Sequence, residues 1–152
     1  MRLCFLGVSL LIFLLDRFTK AWALKELSSK SINVIPGLFD FRLAHNSGAA
    51  FSIFSSSSEP VRKLFLILIP ALIALFVLYY GLFRAKDRLT CLSLSFIFGG
   101  ALGNLYDRAL FNRVVDFIDF HFKSYHYPTF NIADVFIFIG VILLVARSFR
   151  ES

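Results

Sequence analysis

The side chains able to do chemistry in this sequence are a small set of carboxylates with amide and cationic neighbours. Asp16 and Lys20 stand one helical turn apart in "DRFTK"; Asn104, Asp107 and Arg108 share "GNLYDR"; Asp116 and Asp119 share "VVDFIDF"; Asn131 precedes Asp134 by three residues in "FNIAD". Two carboxylates held close together share a proton, because like charge raises one pKa. The ionised member can then take a proton from water while the protonated member polarises a carbonyl. Hydrolysis of a peptide bond is the reaction this suits. The spacing does not select which two aspartates meet, and each taken singly also suits an ion pair or packing. Other chemistries have less footing. His121 and His126 lie near Asp116 and Asp119 without an H-E-x-x-H pattern. "FSSSSEP" reads as a loop and helix start, and "GGALGN" lacks the Lys-Ser/Thr pair of a phosphate loop. No metal, nucleotide or other cofactor is expected.

The elements that position these groups belong to a membrane protein. Hydrophobic residues make up 58% of the 152, and 20 are Phe, well beyond the apolar share of a soluble domain. Four apolar runs predict spans at about 3–25, 63–83, 89–108 and 128–147. The first continues through Asp16, Arg17 and Lys20 and lacks a small-x-small site before Asp16, so a span is expected rather than a cleaved leader. The second contains Pro70, which marks a kink. The third holds Gly99, Gly100, Ala101 and Gly103, a run that suits close helix contact. No linker or repeat divides the chain, so one domain over 1–152 is expected. Cys4 and Cys91 both fall in apolar stretches and read as packing residues.

Charge gives the orientation. The turn "RAKDR" carries three positive charges and one negative, and both chain ends carry Arg, so these face the cytoplasm. The formal net charge of +6 is read as this bias and as attraction to anionic headgroups, not as nucleic-acid binding. The connections at about 21–60 and 108–126 then lie outside. The first, "INVIPGLFDFRLAHNSGAAFSIF", predicts a small strand-like platform. The second, "FNRVVDFIDFHF", has Val114, Phe117, Ile118 and His121 at helical spacing and predicts a short interfacial helix. The fold class expected is therefore an all-α integral membrane protein with four transmembrane helices, a small external β-like platform and that interfacial helix. An aspartate at mid-membrane costs about 2.5–3.5 kcal/mol even on lenient scales. Asp134, near the outer end of its span, costs less. Asp16, Asp107, Asp116, Asp119 and Asp134, five of the ten acidic residues, fall at one interface level.

Five blocks, "DRFTK", "NSGAAF", "GGALGNLYDR", "VVDF" and "FNIAD", occur in an order and spacing that resemble the bacterial lipoprotein signal peptidase (type II signal peptidase) family over essentially the whole chain. The resemblance implies a four-helix aspartyl endopeptidase of the cytoplasmic membrane, both termini inside and the active site at the outer face. Its substrate would be a diacylglyceryl-modified prolipoprotein, cut just before the lipidated cysteine. Membrane phospholipid and cyclic-peptide inhibitors would be further partners. By this correspondence Asp116 and Asp134 form the catalytic dyad. Asn46, Gly48, Asn104, Arg108 and Asn131 line the site, and Asp16 and Lys20 support it. Asp107 becomes a structural candidate beside Arg108, and Asp119 matches no motif position and reads as a solvated surface charge. The chain departs from the family at Asn112, where many members carry Gly; Asn tolerates a left-handed turn next best, so the backbone shape is expected to survive. The rival from another class is a small transporter or ion-binding module in which Asp134 with Asp16 or Asp107 binds a cation. A scaffold binding lipoproteins without cleaving them is the third reading.

Overall fold

A computed structural model describes residues 1–48 and 56–150. Four long helices carry the fold: α1 (Arg2–Glu26), α2 (Glu59–Phe83), α3 (Arg88–Phe111) and α4 (Ile132–Arg150). Helices α2, α3 and α4 are each long and apolar enough to cross a membrane. Helix α1 has 25 residues but, besides Arg2, Lys25 and Glu26 at its ends, takes three charges, Asp16, Arg17 and Lys20, into its interior. Within α2 the backbone widens into a π turn over Leu64–Leu68, where the Ile69 N–H reaches back to the Leu64 carbonyl. This lies just before Pro70, which has no N–H to give the ladder.

The segments between the helices form an antiparallel sheet in the order β1 (Ile32–Ile35), β2 (Phe39–Asn46), β3 (Val114–Phe122), β4 (Tyr125–His126). The sheet follows the C-terminal ends of α1 and α3 and precedes the N-terminal end of α4, so it sits at one end of the bundle. The molecule is thus mostly helical with a small open sheet, not all-α. The stretch read as an interfacial helix is strand β3. Val114, Phe117, Ile118 and His121 fit a helical stripe, but Val114 through Asp119 are all buried, on both faces, which a surface helix cannot achieve. Strand β2 pairs with β3 on both sides of an irregularity between Phe41 and Ala44, setting Asp40 opposite Asp119 and Ala44 opposite Asp116, and Phe130 bridges to Ile118 on the other edge. These partners, and the β-branched and aromatic content, outweigh the local period. The strand-like expectation for the first connection holds for β1 and β2; the "NSGAAF" block beyond Gly48, including Phe51, lies outside the described residues.

Helix α3 is the centre of the bundle and packs against the other three. Its small residues permit this. A methyl on Gly99 would lie 2.6 Å from the Ser9 carbonyl of α1, and one on Gly100 would lie 2.5 Å from the Ala133 carbonyl of α4. A methyl on Gly103 would collide with the Asp16 carboxylate. Backbone therefore meets backbone, which lets short polar side chains reach across between helices. At its C-terminal end α3 stops at Asn112, whose φ of 54° and ψ of 18° are left-handed. The turn keeps its shape with Asn in place of Gly, as the residue type predicts.

Gly100→Ala is expected to lower thermal stability by about 1–3 kcal/mol, the usual cost of overpacking. Gly7→Ala, with nothing within 4 Å of the new methyl, should not. Melting of both variants in detergent checks this; equal midpoints would contradict the backbone contact.

Candidate active site

Asp134 stands in the first turn of α4. The Asn131 N–H donates to Asp134 Oδ2 at 3.2 Å, and the Asp134 N–H donates to Asn131 Oδ1 at 3.0 Å, a reciprocal cap that satisfies two free amides at the helix start. A carboxylate here is also favoured by the helix dipole. Asp134 is thus less an intrusion into an apolar span than the means by which the span begins.

The same Asn131 joins the second carboxylate. Its Nδ2 donates to Asp116 Oδ1 at 2.8 Å and to Asn104 Oδ1 at 3.0 Å, with the Val115 carbonyl also in reach at 3.2 Å. Asn104 in turn donates through Nδ2 to Asp134 Oδ1 at 2.8 Å. The path Asp116–Asn131–Asn104–Asp134 therefore connects β3, the start of α4 and α3 through amides that hold both carboxylates. Asp116 is 2% exposed. Burial, and then the nearby Asp134 charge, push its pKa up to about 7 against a partial counter-effect from the Asn131 hydrogen bond. A cavity of about 270 Å³ opens over the pair, lined by Asn46, Asn104, Arg108, Asp116 and Asp134 with the Tyr127–Phe130 segment as its rim. Gly48 is buried and donates its N–H to Asn46 Oδ1 at 3.0 Å, fixing the turn that presents Asn46.

Beneath this lies an ionic layer. Lys20 Nζ, almost fully buried, meets Asp16 at 2.9 Å, Asp107 at 3.0 Å and Asn104 Oδ1 at 3.0 Å. Arg17 adds bonds to Asp107 at 2.6 Å and Asp16 at 2.9 Å. Asp16 accepts from the Ala133 N–H at 3.2 Å, and Asp107 from the Val115 N–H at 3.1 Å. The partners of Asp107 are thus Arg17 and Lys20. Arg17 had no role in the sequence reading; its place one residue after Asp16, toward the next helix, was the available signal. Asp119, expected at the solvated surface, is instead 0% exposed. It accepts from His126 Nδ1 at 2.9 Å and from Arg42 Nε at 3.1 Å, because the strand it occupies is covered on both sides. Of the five aspartates expected at one level, Asp116 and Asp134 are joined by the asparagines and Asp16 and Asp107 by the cations, while Asp119 belongs to a separate cluster. Among the described residues no group of three or more His, Cys, Asp or Glu side chains is arranged to hold a metal ion.

A carboxylate on a strand and another at a helix start, beneath one polar opening in a bundle with three helices long and apolar enough to cross a membrane, fit a membrane peptidase of the aspartic class. Comparison with known proteins narrows the class. The family model Signal peptidase (SPase) II matches residues 8–150, and the chain belongs to that family. It is 46% identical over 150 residues to the lipoprotein signal peptidase of Clostridium novyi, covering 95% of this chain and 98% of that one. It is 40% identical over 153 residues to the lipoprotein signal peptidase of Pseudomonas aeruginosa, covering 99% and 90%. Two solved bacterial membrane enzymes share the fold, one with a TM-score of 0.83 at 30% identity over 97% of this chain and 88% of its own. The other has a TM-score of 0.82 at 31% identity over 97% and 94%. Family membership decides for an enzyme and against the transporter and the idle scaffold.

Lys20→Met is expected to cost about 3–5 kcal/mol, because it leaves two buried carboxylates with one cation between them. Denaturation of the detergent-solubilised variant checks this; a loss below about 1 kcal/mol would show that the ionic layer does not hold the bundle.

Proposed function

We propose that this chain hydrolyses the signal peptide from diacylglyceryl-modified prolipoproteins immediately before the lipidated cysteine, with Asp116 and Asp134 as the catalytic pair. The observation that carries the reading is the asparagine path holding these two carboxylates under one opening. Family membership supplies the substrate class.

In this mechanism one proton is shared by the pair. Asp134, whose two oxygens accept from Asn104 Nδ2 and the Asn131 N–H at a helix start, is the ionised base, and Asp116, raised to about 7 on its buried strand, carries the proton. Asp134 takes a proton from water as the water oxygen attacks the scissile carbonyl carbon. Asp116 gives its proton to the carbonyl oxygen, forming a tetrahedral intermediate. When the intermediate collapses, the C–N bond breaks, the leaving amine takes the proton held on Asp134, and a hydroxyl proton returns to Asp116. Arg108, whose Nε is buried without a partner among the described residues, donates to a substrate carbonyl. Asn46 and Asn104 position the peptide, and Gly48, Asn131, Asp16 and Lys20 hold these groups in place.

The same reading sets the chain in the bacterial inner membrane as a single domain over 1–152. Helix α1 is the fourth span, its charges facing α3 and not lipid. The basic turn after α2 and both termini lie in the cytoplasm, so the sheet becomes an outer platform and the site faces outward. Phospholipid surrounds the spans, and cyclic peptides that mimic the extended substrate would inhibit by occupying the opening.

Asp116→Asn and Asp134→Asn should each lower turnover of diacylglyceryl-modified precursor by about 10³-fold or more while inserting and folding normally. Near-normal cleavage by either variant would remove the pair from the mechanism. Because the reaction needs the proton on Asp116, kcat/KM should fall about ten-fold per pH unit above about 7. A profile flat through that range would place the essential proton elsewhere.

A further inference from the structure

A second cavity, of about 370 Å³, opens where α1 and α3 meet the sheet, and Asp116, Asn131 and Asp134 take no part in its lining. Its walls combine four basic groups, Arg17, Lys20, His45 and Arg113, and one carboxylate, Asp107, with the aromatic rings of Tyr106 and Phe111. The charges are unequally matched. Arg17 and Lys20 are balanced by Asp16 and Asp107, whereas the exposed Arg113 makes no ion pair or hydrogen bond with a described residue. His45 lies close enough to Arg113 that, after burial, the guanidinium is what depresses its proton affinity. The positive field here is therefore uncompensated. Arg17 adds a buried Nε without a partner among the described residues, although both of its terminal nitrogens are used.

The apolar half of the cavity narrows the ligand. Tyr106 and Phe111 are 41% and 56% exposed at the last turns of α3, and the Arg17 guanidinium lies 4.6 Å from the Tyr106 ring centroid. A free anion has no use for such walls. An anion carrying acyl chains does, and the cavity lies at the sheet end of helices long enough to cross a bilayer, where headgroups are found. We infer that this cavity binds an anionic phospholipid, its phosphate between Arg17, His45 and Arg113 and its chains along Tyr106 and Phe111. The site is separate from the opening over the carboxylate pair, so it stays occupied whether or not the pair is intact.

Native mass spectrometry of the full chain, released from zwitterionic micelles containing phosphatidylglycerol or phosphatidylcholine, tests this. One phosphatidylglycerol should remain per chain and phosphatidylcholine should not. Arg113→Gln should lower retention about five-fold, as expected for one interfacial cation, and Arg113→Lys should restore most of it. Asp116→Asn, and Lys86→Glu in the turn at the opposite end, should leave retention unchanged. Equal retention of the two lipids, or wild-type retention by Arg113→Gln in a variant with an unchanged circular dichroism spectrum, would overturn the site. Displacement of phosphatidylglycerol by millimolar inorganic phosphate would show a plain anion pocket and overturn the lipid assignment.

Discussion

Lys20 takes an ammonium group into the middle of the bundle, where its side chain is 2% exposed and water cannot solvate it. Such a charge persists only if every neighbour is arranged around it. Its three contacts are Asp16 from its own helix and Asp107 and Asn104 from α3. Each passes the constraint on. Asp16 accepts the Ala133 N–H at the start of α4, Asp107 accepts the Val115 N–H of β3, and Asn104 donates to Asp134 and accepts from Asn131. The two elements bearing the candidate catalytic carboxylates are thereby referred to one buried cation.

This geometry depends in turn on how closely the backbones approach. Asparagine side chains are short, and Asn104 meets Asn131 only because Gly99, Gly100 and Gly103 let α1 and α4 lie against the backbone of α3. The arrangement exchanges apolar area for proximity, a reasonable exchange in lipid, where burying more apolar side chain between helices gains little. The carboxylates differ in how they are held. Asp134 is capped into a helix start, whereas Asp116 is buried on a strand and raised toward neutral pH by burial and by Asp134. Different hydrogen-bonding surroundings for two like groups are what an acid and a base in one site require.

Much of this was legible in the sequence because its signals are local. Hydropathy located the four helical runs, the glycine cluster in "GGALGN" marked close packing, and Asn112 kept the left-handed turn its residue type allows. What escaped was set by partners distant in sequence. Val114–Phe122 satisfies helical and strand periods alike, and only pairing with β2 and Phe130 decides between them. Asp119 looked solvated because nothing nearby in the chain announces Arg42 or the fold of β3 that buries it. Arg17 was counted as a charge to be tolerated, although it neutralises Asp107 on another helix. The linkage of Asp116 to Asp134 was likewise beyond the reach of spacing, since it runs through two amides on separate elements.

The claim on which the account rests is that the asparagine path holds Asp116 and Asp134 as one proton-sharing pair. Infrared spectroscopy of the carboxylic-acid carbonyl stretch, titrated in the full-length protein in lipid, tests it most directly. The account predicts a protonated-carboxyl band that persists at about pH 6, fades as pH rises through about 7, and is lost in Asp116→Asn. Absence of that band at pH 6, or its survival unchanged in Asp116→Asn, would contradict it.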